Sequence, residues 1–225
     1  MDIAEIKSKL VTPNDIPIGM QGTSYEMVIH LFENGVLTPN PDSKATKRRG
    51  GQYLYFWPLH ENWEANGLTP LSTRTHERWD PVYWSERFAR GASEQDFFER
   101  ICGFNIEEYK HLIIESRVIK VKNAMQERNL SDSDIADLIR EIERRKGFRI
   151  TLHPQVVQAY QVEPDSYFGP DHFIAFQVKC PDGIDSRYIA QVIPIGDYDR
   201  RLLDKYLAER QQQLSPKLIL SDRKC

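Results

Sequence analysis

Cysteine is scarce in this chain: Cys102, Cys180 and Cys225 are the three in 225 residues, and no two form a C-x-x-C pair. That excludes a disulfide framework and a cysteine zinc site, and it fits a reducing compartment. No apolar run approaches the roughly 20 residues a membrane-spanning helix needs. Residues 1–10 carry Asp2, Glu5, Lys7 and Lys9, unlike a signal peptide. The expectation is a cytoplasmic protein without membrane contact. A dominant charge sign is also missing, since the net charge of −3 supplies no broad field for nucleic acid. The one basic stretch, residues 43–49, reads as a solvated loop. There is no Walker A sequence, no G-x-G-x-x-G and no G-x-S-x-G elbow. His60, His76, His153 and His172 have neither i, i+4 helical spacing nor cysteine partners, so no metal centre is expected.

What is present is an ordinary globular composition, 40% hydrophobic and 28% charged, in a length that suits one sizeable domain with an insertion. Residues 18–20 read as a short strand running into a turn at Gly22. Ser24 is placed to cap a helix bearing Met27, Val28, Leu31 and Phe32, and Asn34-Gly35 stops it. Residues 53–57 form an aromatic strand that Pro58 ends. Residues 59–92, with Trp63, Trp79, Tyr83 and Trp84, read as packed but irregular, and Ser93 opens a helical region. Phe97, Phe98 and Ile101 share one face there, and Tyr109, Leu112, Ile113 and Val118 begin a further helix. Ser131 caps the clearest helix, whose stripe is Ile135, Leu138, Ile139 and Ile142; Arg144, Arg145 and Lys146 suit its C-terminus and Gly147 ends it. Residues 148–152, 156–162, 173–178 and 188–193 then read as strands, with a turn at residues 180–183. Residues 199–214 form a closing helix and residues 215–225 a tail. The order of elements predicts an α+β fold: a single domain over 1–225 with a helical insertion at 75–147.

Gln21-Gly22-Thr23-Ser24, the helix closing on Gly35, and Tyr55-Phe56 resemble the opening blocks of the ADP-ribosyltransferase fold, in its diphtheria-toxin and poly-ADP-ribose-polymerase branch. The layout of residues 173–178, Gly183-Ile184 and Tyr188-Ile189 is similar to that family's last block. The resemblance implies a split mixed or antiparallel sheet, NAD as co-substrate, and transfer of ADP-ribose to a protein or nucleic-acid acceptor in a toxin-like or regulatory setting. It implies that Gln21 stands where the family has histidine and that Gly22 lets nicotinamide approach the backbone, with Thr23 or Ser24 beside it. Tyr55 would stack on the ring, with Tyr53 as second candidate.

Two departures follow. Glutamine replaces histidine at Gln21, though an amide can still bind a ribose hydroxyl. The family's glutamate has no counterpart in residues 173–178; Gln177 is the nearest polar residue, with Glu163 and Asp171 able to reach in from outside. An amide stabilises an oxocarbenium-like charge far less than a carboxylate does. The alternatives are a non-catalytic nucleotide- or protein-binding module of the same fold, and an unrelated α+β domain binding protein through residues 63–84.

Overall fold

The computed structural model of the chain describes residues 1–10, 16–39, 52–67, 80–101, 103, 119, 122, 123, 125–165 and 175–214. Helix α1 (Ile3–Leu10) precedes strand β1 (Gly19–Thr23) and helix α2 (Tyr25–Asn34). Ser24 Oγ accepts from the Met27 amide, and Gly35 takes the left-handed conformation at φ 72°, donating to the Leu31 carbonyl. Val28, Leu31 and Phe32 are the buried stripe of α2. After the two-residue β2 (Val36–Leu37) come β3 (Tyr53–Pro58), α3 (His60–Ala65) and α4 (Pro81–Asp96), which passes into a π-helical turn at Phe97–Ile101. Then follow α5 (Asp132–Arg144), β4 (Phe148–Leu152), α6 (Val156–Ala159), β5 (Gln161–Pro164), β6 (Phe176–Lys179), β7 (Ile184–Asp185), a 3-10 turn (Ser186–Tyr188), β8 (Ile189–Pro194) and α7 (Asp197–Leu214).

The fold is α+β. Six strands form one sheet in the order β5-β6-β3-β1-β4-β8, with β2 and β7 as a separate pair. Every strand pair is antiparallel, so the mixed alternative does not occur among the described residues. Strand β1 pairs with β4 over five residues but with β3 over only two, Gly19 opposite Pro58 and Met20 opposite Trp57. The sheet therefore splits beyond Met20.

Side chains alternate along a strand, and directly opposed residues share a face. One face carries Phe56, Phe148, Ile150, Leu152, Phe176 and Val192, and it forms the main core with α1, α2 and α7. The other face meets α4. A second cluster, Phe97, Phe98, Met125, Ile135 and Ile142, holds the helical segment between β3 and β4 together.

Four local readings need correction. Gly22 is not a turn: β1 runs straight through it, paired opposite Arg149. Helix α4 begins at Pro81, capped by Asp80, and Ser93 lies in its last turn rather than at its start. Residues 156–159 are helical, because the Tyr160 amide bonds back to the Val156 carbonyl, and β5 starts at Gln161. Helix α5 ends at Arg144; Arg145 is already extended, and Gly147, at φ 83°, starts the approach to β4. Residues 43–49, 76, 79, 102, 109, 112, 113, 118, 171–174 and 215–225 lie outside the described residues.

Candidate functional site

The row of residues that the sequence singles out lies on the α4 side of the split sheet. Tyr55 on β3 stands directly opposite Gln177 on β6, and Gln177 stands opposite Glu163 on β5. Gln177 Nε2 donates to Glu163 Oε1 at 2.8 Å. All three are half-buried. Tyr53 belongs to the same face two residues earlier, opposite Lys179. Trp57, two residues after Tyr55, packs its ring against Trp84 and Phe88 of α4 at centroid distances of 5.9 and 5.5 Å. An aromatic ledge thus borders the polar row, and Phe88 and Tyr83 leave more than half their surface open to solvent.

Gln21 is not part of this row. It stands opposite Ile150, on the core face, one residue out of phase with Met20 and Gly22. Its Oε1 is buried and accepts no hydrogen bond from the described residues. Gly22 does share the face of Tyr55, but α4 crosses directly above it. A Cβ at Gly22 would sit 1.8 Å from the Ser85 carbonyl oxygen and 2.4 Å from the Ala89 nitrogen, so helix backbone fills the space beside this glycine. Thr23 is buried on the core face. Ser24 has lost its freedom as well: its hydroxyl accepts from Met27 and donates to the buried carboxylate of Asp96, which ties the start of α2 to the end of α4.

Helix α4, which covers Gly22, is the element beside the site that the sequence does not signal by apolar periodicity. Its buried stripe is Ser85, Ala89, Ser93 and Asp96. Those residues carry no apolar periodicity, but their i, i+4, i+8 spacing of small side chains was the available signal. Small residues let a helix backbone lie against a strand, and Gly22 is the reciprocal feature.

Behind this layer a buried ion cluster fixes α2 to α5. Arg145 is 5% exposed; its Nη1 reaches Glu26 Oε1 at 2.6 Å and its Nη2 reaches Glu141 Oε1 at 2.7 Å. Burial opposes the guanidinium's charge, but the two carboxylates outweigh it and hold its pKa above the usual value. Asp199, in the first turn of α7, is engaged in the fold as well: its carboxylate accepts from the Lys146 and Gly147 amides at 3.0 and 3.1 Å, while burial raises its pKa. Tyr25 has its hydroxyl pushed up to about 12, by burial first and then by Glu26 and Glu209. An unfolded tyrosine ionises near pH 10. The stabilising difference is therefore complete below about pH 10 and disappears as pH rises from about 10 to about 12. Urea midpoints across that window should fall more steeply for the wild type than for Tyr25→Phe, and parallel curves would contradict the assignment.

No group of three or more His, Cys, Asp or Glu residues placed to hold a metal occurs among the described residues, and none of their helices is long and apolar enough to cross a membrane. Comparison with known proteins adds no identity. No family model, curated protein or solved structure matches the chain.

Proposed function

We propose that this chain is a non-catalytic nucleotide-binding module, with its ligand site on the half-open sheet face formed by β3, β6 and β5. The observation that carries this reading is the row Tyr55, Gln177, Glu163 on three adjacent strands. A tyrosine ring offers a stacking surface for a base or a nicotinamide. Beside it, an amide and a carboxylate supply both donors and acceptors for the hydroxyls of a ribose. NAD or one of its nucleotide halves fits that chemistry.

Transfer of ADP-ribose needs more than this row. It needs a group that grips the second ribose, a glycine backbone open to the nicotinamide amide, and a carboxylate at the ribose carbon, all in one cleft. Gln21 is on the opposite face and Gly22 is under the α4 backbone, which supports binding without transfer.

Calorimetry with NAD and ADP-ribose, alongside incubation of labelled NAD with lysate, tests this directly. The expected result is saturable binding that Tyr55→Ala weakens by about tenfold or more, the usual cost of losing a stacking aromatic, with no label transferred. NAD cleavage or transfer that disappears in Glu163→Gln would establish the transferase instead. Failure of every nucleotide to bind would reject both readings.

A further inference from the structure

Buried polar atoms without partners are rare in folded proteins, and each calls for an explanation. Two of them stand next to each other on β4. Arg149 Nε and Thr151 Oγ1 are both buried, and neither finds a hydrogen-bond partner among the described residues. Thr151 is 2% exposed, and the Arg149 side chain 21%. Both face the α4 side of the sheet. Arg149 lies between Gly22 on β1 and Ile193 on β8, and Thr151 lies between Met20 and Gln191. Two residues apart on one strand, their Cα atoms lie about 6.8 Å from each other and their side chains leave the same face. The ladder to β8 shifts register immediately after Thr151, an irregularity of the kind that re-aims side chains near binding sites.

The geometry points to an oxyanion site between Arg149 and Thr151, taking a phosphate or carboxylate group of a ligand. A guanidinium N–H and a hydroxyl on neighbouring same-face positions of one strand are two donors available to the acceptor oxygens of one small group, and the fixed positive charge selects an anion over water. Among the described residues, none hydrogen-bonds Arg149 Nε or Thr151 Oγ1. Glu86 is the only acid paired with Arg149 among the described residues, and its Oε1 is 3.9 Å from Nη1, too far for a hydrogen bond. Its side chain is 43% exposed, so it competes for the guanidinium without occupying the inner position. This site lies across β1 and α4 from the Tyr55 row and does not depend on the nucleotide reading.

Thermal unfolding with inorganic phosphate, and separately with acetate, tests it at an ionic strength held constant with sodium chloride. Wild type should show a saturable rise in Tm with one or both anions, and which anion acts identifies the ligand group as phosphate-like or carboxylate-like. Thr151→Val, which keeps the side-chain shape, should be at least as stable without anion and bind about tenfold more weakly, as expected for losing one charge-assisted hydrogen bond. Arg149→Met should lose the response, and Glu86→Gln should strengthen it. If neither anion stabilises the wild type beyond chloride, or if Thr151→Val responds as the wild type does, the site is a water position and the proposal fails. Thr151→Val keeps the test decisive even if Arg149→Met does not fold.

Discussion

Gly22→Ala is expected to destabilise the protein by about 3 kcal/mol or more, at the upper end of what overpacking costs. The added methyl meets the Ser85 carbonyl at 1.8 Å and the Ala89 nitrogen at 2.4 Å. Both are helix backbone atoms, so no side chain can rotate away. Relief requires α4 to lift off β1, and lifting it would part Ser85 Oγ from Met20 Sδ, now 3.3 Å away, and separate the Trp57 ring from Trp84 and Phe88. Gly91, on the same helix, has open space where a Cβ would be. Gly91→Ala should therefore stabilise by up to about 1 kcal/mol through helix propensity alone. Urea midpoints of the two variants, moving in opposite directions, are the measurement. A Gly22→Ala protein of wild-type stability and near-ultraviolet dichroism would mean that α4 does not sit on β1 as described.

The same contact explains how much of this molecule was legible from its sequence. Elements with apolar stripes and conventional caps read correctly: α2 between Ser24 and Gly35, α5 after Ser131, and β4 at Phe148–Leu152. Helix α4 did not, because its inward face is Ser85, Ala89 and Ser93 while Tyr83 and Phe88 point outward. A periodicity search looks for large apolar residues inside, and here the tight fit to a strand demands small ones. Valines misled at residues 156–162, where Pro154 and Gln155 start a helical turn before β5. The candidate residues Tyr55, Gln177 and Glu163 were visible individually, but their alignment depends on β6 lying between β3 and β5. That order is a long-range pairing that no local pattern encodes. Gln21 and Gly22, adjacent in sequence, suggest one site; the two-residue period of a strand sends them to opposite faces.

Arg145→Met should cost about 3–5 kcal/mol, the usual penalty for removing one member of a buried ion pair and leaving the other. Arg145 joins three elements: Glu26 from α2, Glu141 from α5, and the Phe97 ring, over which its guanidinium lies at 5.4 Å from the centroid. Glu141 keeps substantial solvent contact, but the Glu26 side chain is only 16% exposed. Its second oxygen, Oε2, is already buried without a hydrogen-bond partner among the described residues. Glu26 would then be a buried carboxylate with no paired cation among the described residues. Arg145→Lys should rescue little, since a single ammonium cannot span two carboxylates in the way a planar guanidinium does. Adding Glu26→Gln to Arg145→Met removes the stranded charge and should recover part of the loss, giving a coupling energy of about 1–3 kcal/mol in a double-mutant cycle. The loss should also be local in origin. Phe97 is where Arg145 meets the second cluster, whose other members, Phe98, Met125, Ile135 and Ile142, are apolar, so hydrogen exchange in Arg145→Met should open first where the charged contacts join α5 to α2. A cycle showing no coupling, or an Arg145→Met protein as stable as wild type, would mean that apolar packing alone docks the helical segment on the sheet.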